Sequence, residues 1–290
     1  MRRTTAVTWL VHIIAIACVV CALEDPSFLR GGASEGDETP NPDRDVVVAA
    51  WAGEDLSFLE PLANEGYEIV AVDSSGNYSQ DSVPDFVRYW YAPQAQCNTY
   101  EGDKTLNGKF GGITKDCCNE HSRYLAYMAN DFATLGATTT FIHAHNHPRG
   151  KTDHDPKDKV QAIRNAVAEV KGREDGFTNL KNSHNPFRMH VAMYAVFKAQ
   201  WHRMPDELKA HLGDECPPER WCIQGRTQMT VSREHMQKIG QRFFAVSLEH
   251  WRKTAERFCR VKSLLEDWWD MVFNPDDMFT CEYNPGDHAL

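Results

Sequence analysis

Two apolar runs flank an amphipathic segment early in the chain, and this arrangement restricts the fold most strongly. Asp45–Ala50 is a β-branched run that predicts a buried strand, and Glu68–Val72 predicts a second one. Between them, Leu56–Asn64 has apolar residues at helical spacing. A strand, a helix and a strand in this order predict neighbouring parallel strands joined by a right-handed crossover.

Further strands and helices alternate along the chain, which predicts an α/β fold class. Thr138–His143 predicts a third strand. The predicted fold is a single domain over residues 45–290, with a mainly parallel, Rossmann-like sheet flanked by helices and a helical C-terminal part. The other predicted elements are helices at Asn119–Leu135, Lys157–Lys171, Phe243–Cys259 and Ser263–Phe273, and a strand at Arg226–Val231.

Residues 1–23 have the pattern of a targeting segment. Arg2 and Arg3 precede an apolar run that ends at Leu23, with a small-residue cleavage site after Ala22. The run predicts a cleaved signal peptide or an uncleaved signal anchor, since it is about long enough to span a bilayer; the remaining alternative is a short apolar run without a targeting role. Both targeting alternatives send the chain into the secretory pathway, as a secreted protein or a single-pass type II membrane protein of the ER or Golgi. Residues 24–44, rich in Gly, Pro, Ser and acidic residues, predict a disordered linker or stalk.

Charge and cysteine content restrict the partners and the compartment. The net charge of −10 argues against a nucleic-acid partner, because such binding depends on clustered cations. Seven cysteines follow the targeting segment, and most are expected to pair in an oxidising lumen, with one odd thiol left over. Cys216 and Cys222 could close a small loop, but the pairing does not follow from the sequence. Asn77-Tyr78-Ser79 is an N-glycosylation acceptor and fits the same compartment.

Three histidines occupy alternate positions at the end of the third predicted strand. His143, His145 and His147 would project from one face of a strand, and imidazole is the commonest metal ligand in proteins. This pattern predicts a site for a divalent metal, Mn or Zn, with one nearby acidic residue completing the ligand set. The alternative is that the histidines only form hydrogen bonds in a polar rim. The acidic candidates are Asp153, Asp155 and Asp158.

Part of this segment resembles the metal motif of the JAMM-type metallopeptidases, written H-x-H-P…S-x-x-D. His145, His147 and Asp158 match the spacing of its ligands, whereas Asp155 stands in place of the serine. The resemblance covers about 14 residues and has no obvious upstream glutamate for the general base. It implies a metal-dependent hydrolase with a bound water as nucleophile.

A second resemblance is longer and rests on six patches: Glu54–Leu59, Glu120–Leu125, Phe141–His145, Gly176–Leu180, Ser232–Glu234 and Leu265–Phe273. In this order the patches resemble a domain-of-unknown-function family, number three-four-three-one. The resemblance runs from Asp45 to about Cys281. The chain departs from the family at Cys118-Asn119, where the family has Gly-Arg before its glutamate.

That family in turn resembles nucleotide-sugar transferases of the GT-A type, which have Rossmann-like folds. The resemblance implies a divalent metal near His143 and His145, where such enzymes carry Asp-x-Asp, and a nucleotide sugar as donor. Asp73 ends the second predicted strand, where α/β sheets place an acid on a ribose. Asp73 and Glu54, which lies in the first patch, are therefore candidates for binding the nucleotide.

Three more residues are candidates for catalysis. Glu266 is a candidate base, with a carboxylate paired to an arginine as the alternative. Arg233 is a candidate clamp for a phosphate, with a salt bridge at a helix N-terminus as the alternative. Glu120 is a catalytic candidate from the second patch, with a structural hydrogen bond to Tyr124 as the alternative.

The favoured function is metal-dependent glycosyl transfer from a nucleotide sugar to a carbohydrate or glycan acceptor in the secretory pathway. The alternatives are a metal-dependent hydrolase that uses His145, His147 and Asp158, and a secreted binding protein without catalytic activity. Contact with a membrane is expected only through an uncleaved N-terminal segment.

Overall fold

A computed structural model describes residues 43–50, 54–76, 78–97, 118–145, 156–180, 185–188, 191–217, 220–223, 227–257 and 268–274. Within these ranges the strands are β1 (Arg44–Ala49), β2 (Glu68–Asp73), β3 (Val87–Tyr91), β4 (Thr138–His143), β5 (Phe177–Asn179), β6 (Asn185–Arg188), β7 (Arg220–Ile223) and β8 (Met229–Ser232). The helices are α1 (Glu60–Asn64), α2 (Asn119–Asn130), α3 (Lys159–Lys171), α4 (Val191–His202), α5 (Asp206–Leu212), α6 (Arg233–Ile239), α7 (Gln241–Arg257) and α8 (Trp268–Phe273).

Six strands form one mainly parallel sheet, in the order β3-β2-β1-β4-β8-β5. β1 pairs in parallel with β2 and with β4, and β2 pairs in parallel with β3. β8 runs antiparallel to β4 and to β5. The predicted α/β class with helices flanking a mainly parallel sheet is therefore confirmed. β6 and β7 form a separate antiparallel pair.

Both faces of the sheet are covered, which explains why its central strands read as unbroken apolar runs. Alternate residues of β1 face opposite sides, so Val47 and Val48 belong to two different clusters of buried side chains. Residues of α2, α7 and α8 cover the Val47 side, represented by Tyr127, Phe244 and Trp269. Residues of α1 and α3 cover the Val48 side, represented by Leu62 and Ile163.

Several predicted elements shift in length. The helix predicted to reach Leu135 ends at Asn130, whose side-chain amide donates to the Ala126 carbonyl at 2.7 Å. A turn follows it, in which the Thr134 N–H bonds the Asp131 carbonyl. β3 and β5 were not predicted, because both are short and neither has a sustained apolar alternation.

One disulfide joins Cys97, just after β3, to Cys118, just before α2. Cys216 has a free thiol, so the suggested loop between Cys216 and Cys222 does not form. Of the helices in the described ranges, none has the length and apolar character needed to cross a bilayer. The predicted targeting segment, residues 24–42 of the predicted linker and Asn77 lie outside those ranges. The predicted linker was one residue too long, because its last residue, Arg44, begins β1.

Candidate functional site

The parallel strands end together at one edge of the sheet, called here the carboxyl edge, at Ala49, Asp73, Tyr91 and His143. The opposite edge, where β4 begins at Thr138, is the amino edge. Open α/β sheets bind ligands outside the carboxyl ends of their strands. The carboxyl edge is therefore the first place to look for chemistry.

Two side chains hold the imidazole of His143 at this edge. Nε2 of His143 lies 3.1 Å from Oε1 of Glu120, in the first turn of α2. The same nitrogen lies 2.6 Å from Oγ1 of Thr227, just before β8. A serine-protease-type relay needs the carboxylate and the hydroxyl on different ring nitrogens. Because both share Nε2 here, the geometry does not make Thr227 an activated nucleophile.

Glu120 is a buried carboxylate, 3% exposed. Burial acts to raise its pKa, but the neighbouring imidazoles of His121 and His143 outweigh burial and lower the pKa of Glu120 below its usual range. An ionised carboxylate only accepts hydrogen bonds, so Nε2 of His143 carries the hydrogen of the pair. In the neutral ring the lone pair then lies on Nδ1.

Lys159 fixes the chain that leaves β4. Its ammonium group, fully buried, donates to the His143 carbonyl at 3.1 Å and also to the His145 carbonyl. The Gln228 side chain accepts from the His143 backbone N–H at 3.4 Å. Because both backbone groups of His143 are bonded, the ring direction is set by the backbone as well as by Glu120.

Two further buried hydrogen bonds hold α8, and one of them involves His121, the neighbour of Glu120 in the chain. The indole N–H of Trp269 donates to Nδ1 of His121 at 2.8 Å. The side-chain amide of Asn179, at the end of β5, donates to Asp270 at 3.1 Å. Both bonds join α8 to other elements of the fold, so α8 closes one side of the carboxyl edge.

The metal prediction is only partly covered by the described residues. The rings of His143 and His145 lie side by side, with centroids 5.1 Å apart. In the part of the chain that the structure describes, no three histidine, cysteine, aspartate or glutamate side chains converge as a metal site would require. His147, Asp153, Asp155 and Glu266 lie outside that part. Asp158 is exposed and caps α3, accepting from the Gln161 backbone N–H at 2.9 Å.

Asp73 lies at the carboxyl edge, but on the opposite face of the sheet from His143. Its carboxylate accepts from the backbone N–H groups of Ser75 at 2.8 Å and Gly76 at 2.9 Å, and from the Tyr89 hydroxyl at 3.3 Å. Its present role is to hold the turn after β2. Glu54 lies near this turn, with its backbone N–H bonded to the Tyr78 hydroxyl at 3.0 Å.

Arg233 lies at the amino edge. Ser232 pairs with Thr138, whereas His143 ends β4, so roughly 16 Å of strand separates Arg233 from His143, at about 3.3 Å per residue. Nε of Arg233 donates to the Gly136 carbonyl at 3.3 Å. Arg233 also lines a groove of about 410 Å³ between α3 and α6, together with Arg173 and Lys238. The structure therefore does not bring Arg233 together with Glu120 and His143.

Four residues of the carboxyl edge were missed by sequence reasoning: His121, Lys159, Thr227 and Gln228. Each of them is distant from His143 in the sequence, so no local sequence pattern connects them with it. The packing of α2, α3 and β8 brings them to the carboxyl edge. The available signal for His121 was its position beside Glu120 in the second patch. Lys159 and Thr227 had no comparable signal.

Four of the six patches supply residues to this one region. Glu120, His143, Asn179 and Trp269 come from α2, β4, β5 and α8. By contrast, the Ser232–Glu234 patch lies at the amino edge, where the Ser232 backbone N–H bonds the Gly176 carbonyl at 2.8 Å. The patches therefore mark both ends of the sheet, with most of the titratable side chains at the carboxyl edge.

The comparisons with known proteins agree with the longer of the two resemblances. The family model described as "Protein of unknown function (DUF3431)" matches residues 79–285. The match begins after β2, so the Glu54–Leu59 patch lies outside it. Searches of curated proteins and of solved structures each returned no significant match. Because the family model covers well over half of the 290 residues, the chain belongs to the DUF3431 family.

Proposed function

We propose that this protein is a transferase that moves a glycosyl group from a nucleotide sugar to a hydroxyl group of a glycan acceptor. One observation carries the proposal: the buried Glu120 carboxylate bonded to His143 at the carboxyl edge of a mainly parallel α/β sheet. A carboxylate and an imidazole in this arrangement form a base and the group that orients it. Such a pair suits reactions in which a hydroxyl must lose its proton as it attacks.

The proposed step uses His143 as the general base. Nδ1 takes the proton of the acceptor hydroxyl while the hydroxyl oxygen bonds to the anomeric carbon and the nucleotide leaves with the electrons of the broken bond. Glu120 then stabilises the imidazolium through Nε2. The His143 side chain is 19% exposed, but Nδ1 itself is buried. The acceptor hydroxyl therefore has to displace the groups that cover Nδ1.

No step of this proposal passes through a metal. Nε2 of His143 is already shared by Glu120 and Thr227, and the described residues offer no set of three ligands. A metal held by His145 would need ligands from outside the described ranges, for example from residues 146–155. Metal dependence is therefore tested directly, by measuring the reaction with and without added Mn or Zn.

The described geometry gives less support to the hydrolase alternative. That alternative needs Asp158 as a ligand, but the Asp158 carboxylate caps α3. It also needs His147, which lies outside the described ranges. The transferase, by contrast, uses two candidates that the structure brings into contact.

The disulfide between Cys97 and Cys118 supports the secretory part of the proposal. Disulfides persist in oxidising compartments and are rare in the cytosol. A luminal location is also where nucleotide sugars and glycan acceptors would meet the enzyme. The glycan acceptor and the location both belong to the proposal.

The test is to incubate the purified full-length chain with a panel of nucleotide sugars, with and without added Mn or Zn, and to measure nucleotide release. We expect release with at least one donor and a loss of about 10²–10³ in kcat for His143→Asn. Glu249→Gln, which changes an exposed acid on α7 paired with Lys253, is the matched control and should keep the wild-type rate. Absence of release with every donor, or equal rates for both variants, would overturn the proposal. Donor binding without release would instead indicate a binding protein.

A further inference from the structure

Glu120 has a second imidazole neighbour, and its protonation can be derived from hydrogen-bond chemistry. His121 is fully buried, and its Nδ1 lies 2.8 Å from the indole nitrogen of Trp269. An indole N–H can only donate. Nδ1 of His121 must therefore accept, which means that it carries no hydrogen.

The second nitrogen of His121 follows from the first. A neutral imidazole has one hydrogen, so that hydrogen lies on Nε2. Nε2 lies 3.7 Å from Oε1 of Glu120, the same oxygen that His143 contacts at 3.1 Å. At 3.7 Å the contact is electrostatic rather than a hydrogen bond. One carboxylate oxygen is thus flanked by two imidazole N–H groups.

Protonation of His121 would cost the Trp269 bond. A second proton could enter only at Nδ1, where the indole hydrogen already lies. Burial also lowers the pKa of His121, to about 4. Both effects keep His121 neutral near neutral pH, so it stabilises the Glu120 carboxylate through the dipole of its Nε2–H group and not as a positive charge.

Trp269 is itself held firmly. Its ring stacks on His121 with centroids 5.9 Å apart and on Phe273 at 6.1 Å. It also lies 6.1 Å from the ring of Tyr124, on the same helix as Glu120. The position of the indole N–H is therefore determined by three packed rings.

We infer that Trp269 and His121 are positioning residues. The indole N–H of Trp269 fixes the tautomer of His121, and His121 in that tautomer holds Glu120 as the acceptor for the His143 Nε2–H. The expected change in kcat rests on the proposed function, whereas the tautomer of His121 does not. The chain of contacts runs from α8 through α2 to the end of β4. It assigns a role to α8 that the His-x-His pattern does not indicate.

The test uses Trp269→Phe, with Trp268→Phe as the matched control. Both variants remove one buried indole N–H from α8 and leave an aromatic ring. Nε1 of Trp269 bonds His121, whereas Nε1 of Trp268 has no hydrogen-bond partner within the described ranges. Imidazole ¹⁵N NMR of the full chain reports which ring nitrogen carries the hydrogen, and it needs no substrate.

In the wild type and in Trp268→Phe, we expect an unprotonated Nδ1 and a protonated Nε2 on His121, unchanged from pH 6 to pH 8. In Trp269→Phe, we expect a mixture of tautomers and a kcat about tenfold lower with KM little changed, as for the loss of one hydrogen bond. A protonated Nδ1 in the wild type, or identical spectra for the two variants, would overturn the inference. Correct spectra in a protein that turns over no donor would leave the tautomer assignment standing and contradict only the proposed reaction.

Discussion

Two buried carboxylates, at opposite edges of the sheet, have environments that shift their pKa values in opposite directions. Asp45, at the start of β1, is 1% exposed, and Glu120, at the carboxyl edge, is 3% exposed. Burial is the largest influence on both. It raises the pKa of Asp45 to about 7, because the backbone N–H of Gly136 and the Thr139 hydroxyl offset it only partly. At Glu120 two imidazoles outweigh it.

Under the proposed function, this difference separates a structural acid, Asp45, from an acid that takes part in the reaction, Glu120. Oδ1 of Asp45 is buried without a hydrogen-bond partner in the described ranges, and Gly136 packs directly against it. Oε1 of Glu120 faces two imidazoles. Acidification should therefore strengthen the amino edge and weaken the carboxyl edge, since only Glu120 needs its charge.

The largest expected effect is the pH dependence caused by Asp45. Its folded pKa of about 7 exceeds the ordinary value of 3.8, so its contribution to stability is full below about pH 4 and is lost as the pH rises through 7. The loss amounts to at most about 4 kcal/mol. The free energy of unfolding in urea should not decline in this way with pH for Asp45→Asn. For Asp81→Asn, which changes an exposed acid, it should decline as in the wild type. Parallel pH curves for wild type and Asp45→Asn would contradict the assignment.

Loss of the disulfide should have the next largest effect, and it should act on the carboxyl edge. Cys97 and Cys118 are 21 residues apart and tie the start of α2, where Glu120 lies, to the end of β3. Replacing both with Ala should lower the free energy of unfolding by about 3 kcal/mol. Hydrogen exchange should increase first in α2. Uniform exchange across the sheet would show that the disulfide does not anchor this edge.

The bond between Glu120 and His143 should appear as a coupling energy. A double-mutant cycle with Glu120→Gln and His143→Asn should give about 2 kcal/mol, the size of a hydrogen bond to a charged group. Chemical denaturation of the four proteins at pH 7 measures it. An additive cycle would mean that the two side chains act independently.

The smallest expected effect tests the packing at the amino edge. A Cβ on Gly136 would lie 2.6 Å from Oδ1 of Asp45, whereas a Cβ on Gly172 would only touch the Glu169 carbonyl at 3.6 Å. Gly136→Ala should therefore cost roughly 1–2 kcal/mol, and Gly172→Ala should be close to neutral. Thermal unfolding of both variants decides this, and equal midpoints would contradict the close contact.

The sequence predicts the sheet better than the site. β1, β2 and β4 are apolar runs because helices cover them on both faces, and such runs are visible without a structure. The pairing of Glu120 with His143 depends on how α2 packs against the end of β4, and no local pattern reports that packing. Arg233 was predicted to belong to the site, but its patch follows β8. Because β8 runs antiparallel to β4, it ends at the amino edge, far from His143.

The most direct test of the difference between the two edges replaces each buried acid by its amide and compares turnover of nucleotide sugars. Glu120→Gln should lower kcat by about 10²–10³ at pH 7, because His143 loses its charged partner. Asp45→Asn should remain within about twofold of the wild type, since Asp45 lies at the far end of the sheet. Equal losses in the two variants, or a larger loss in Asp45→Asn, would contradict a reactive site at the carboxyl edge.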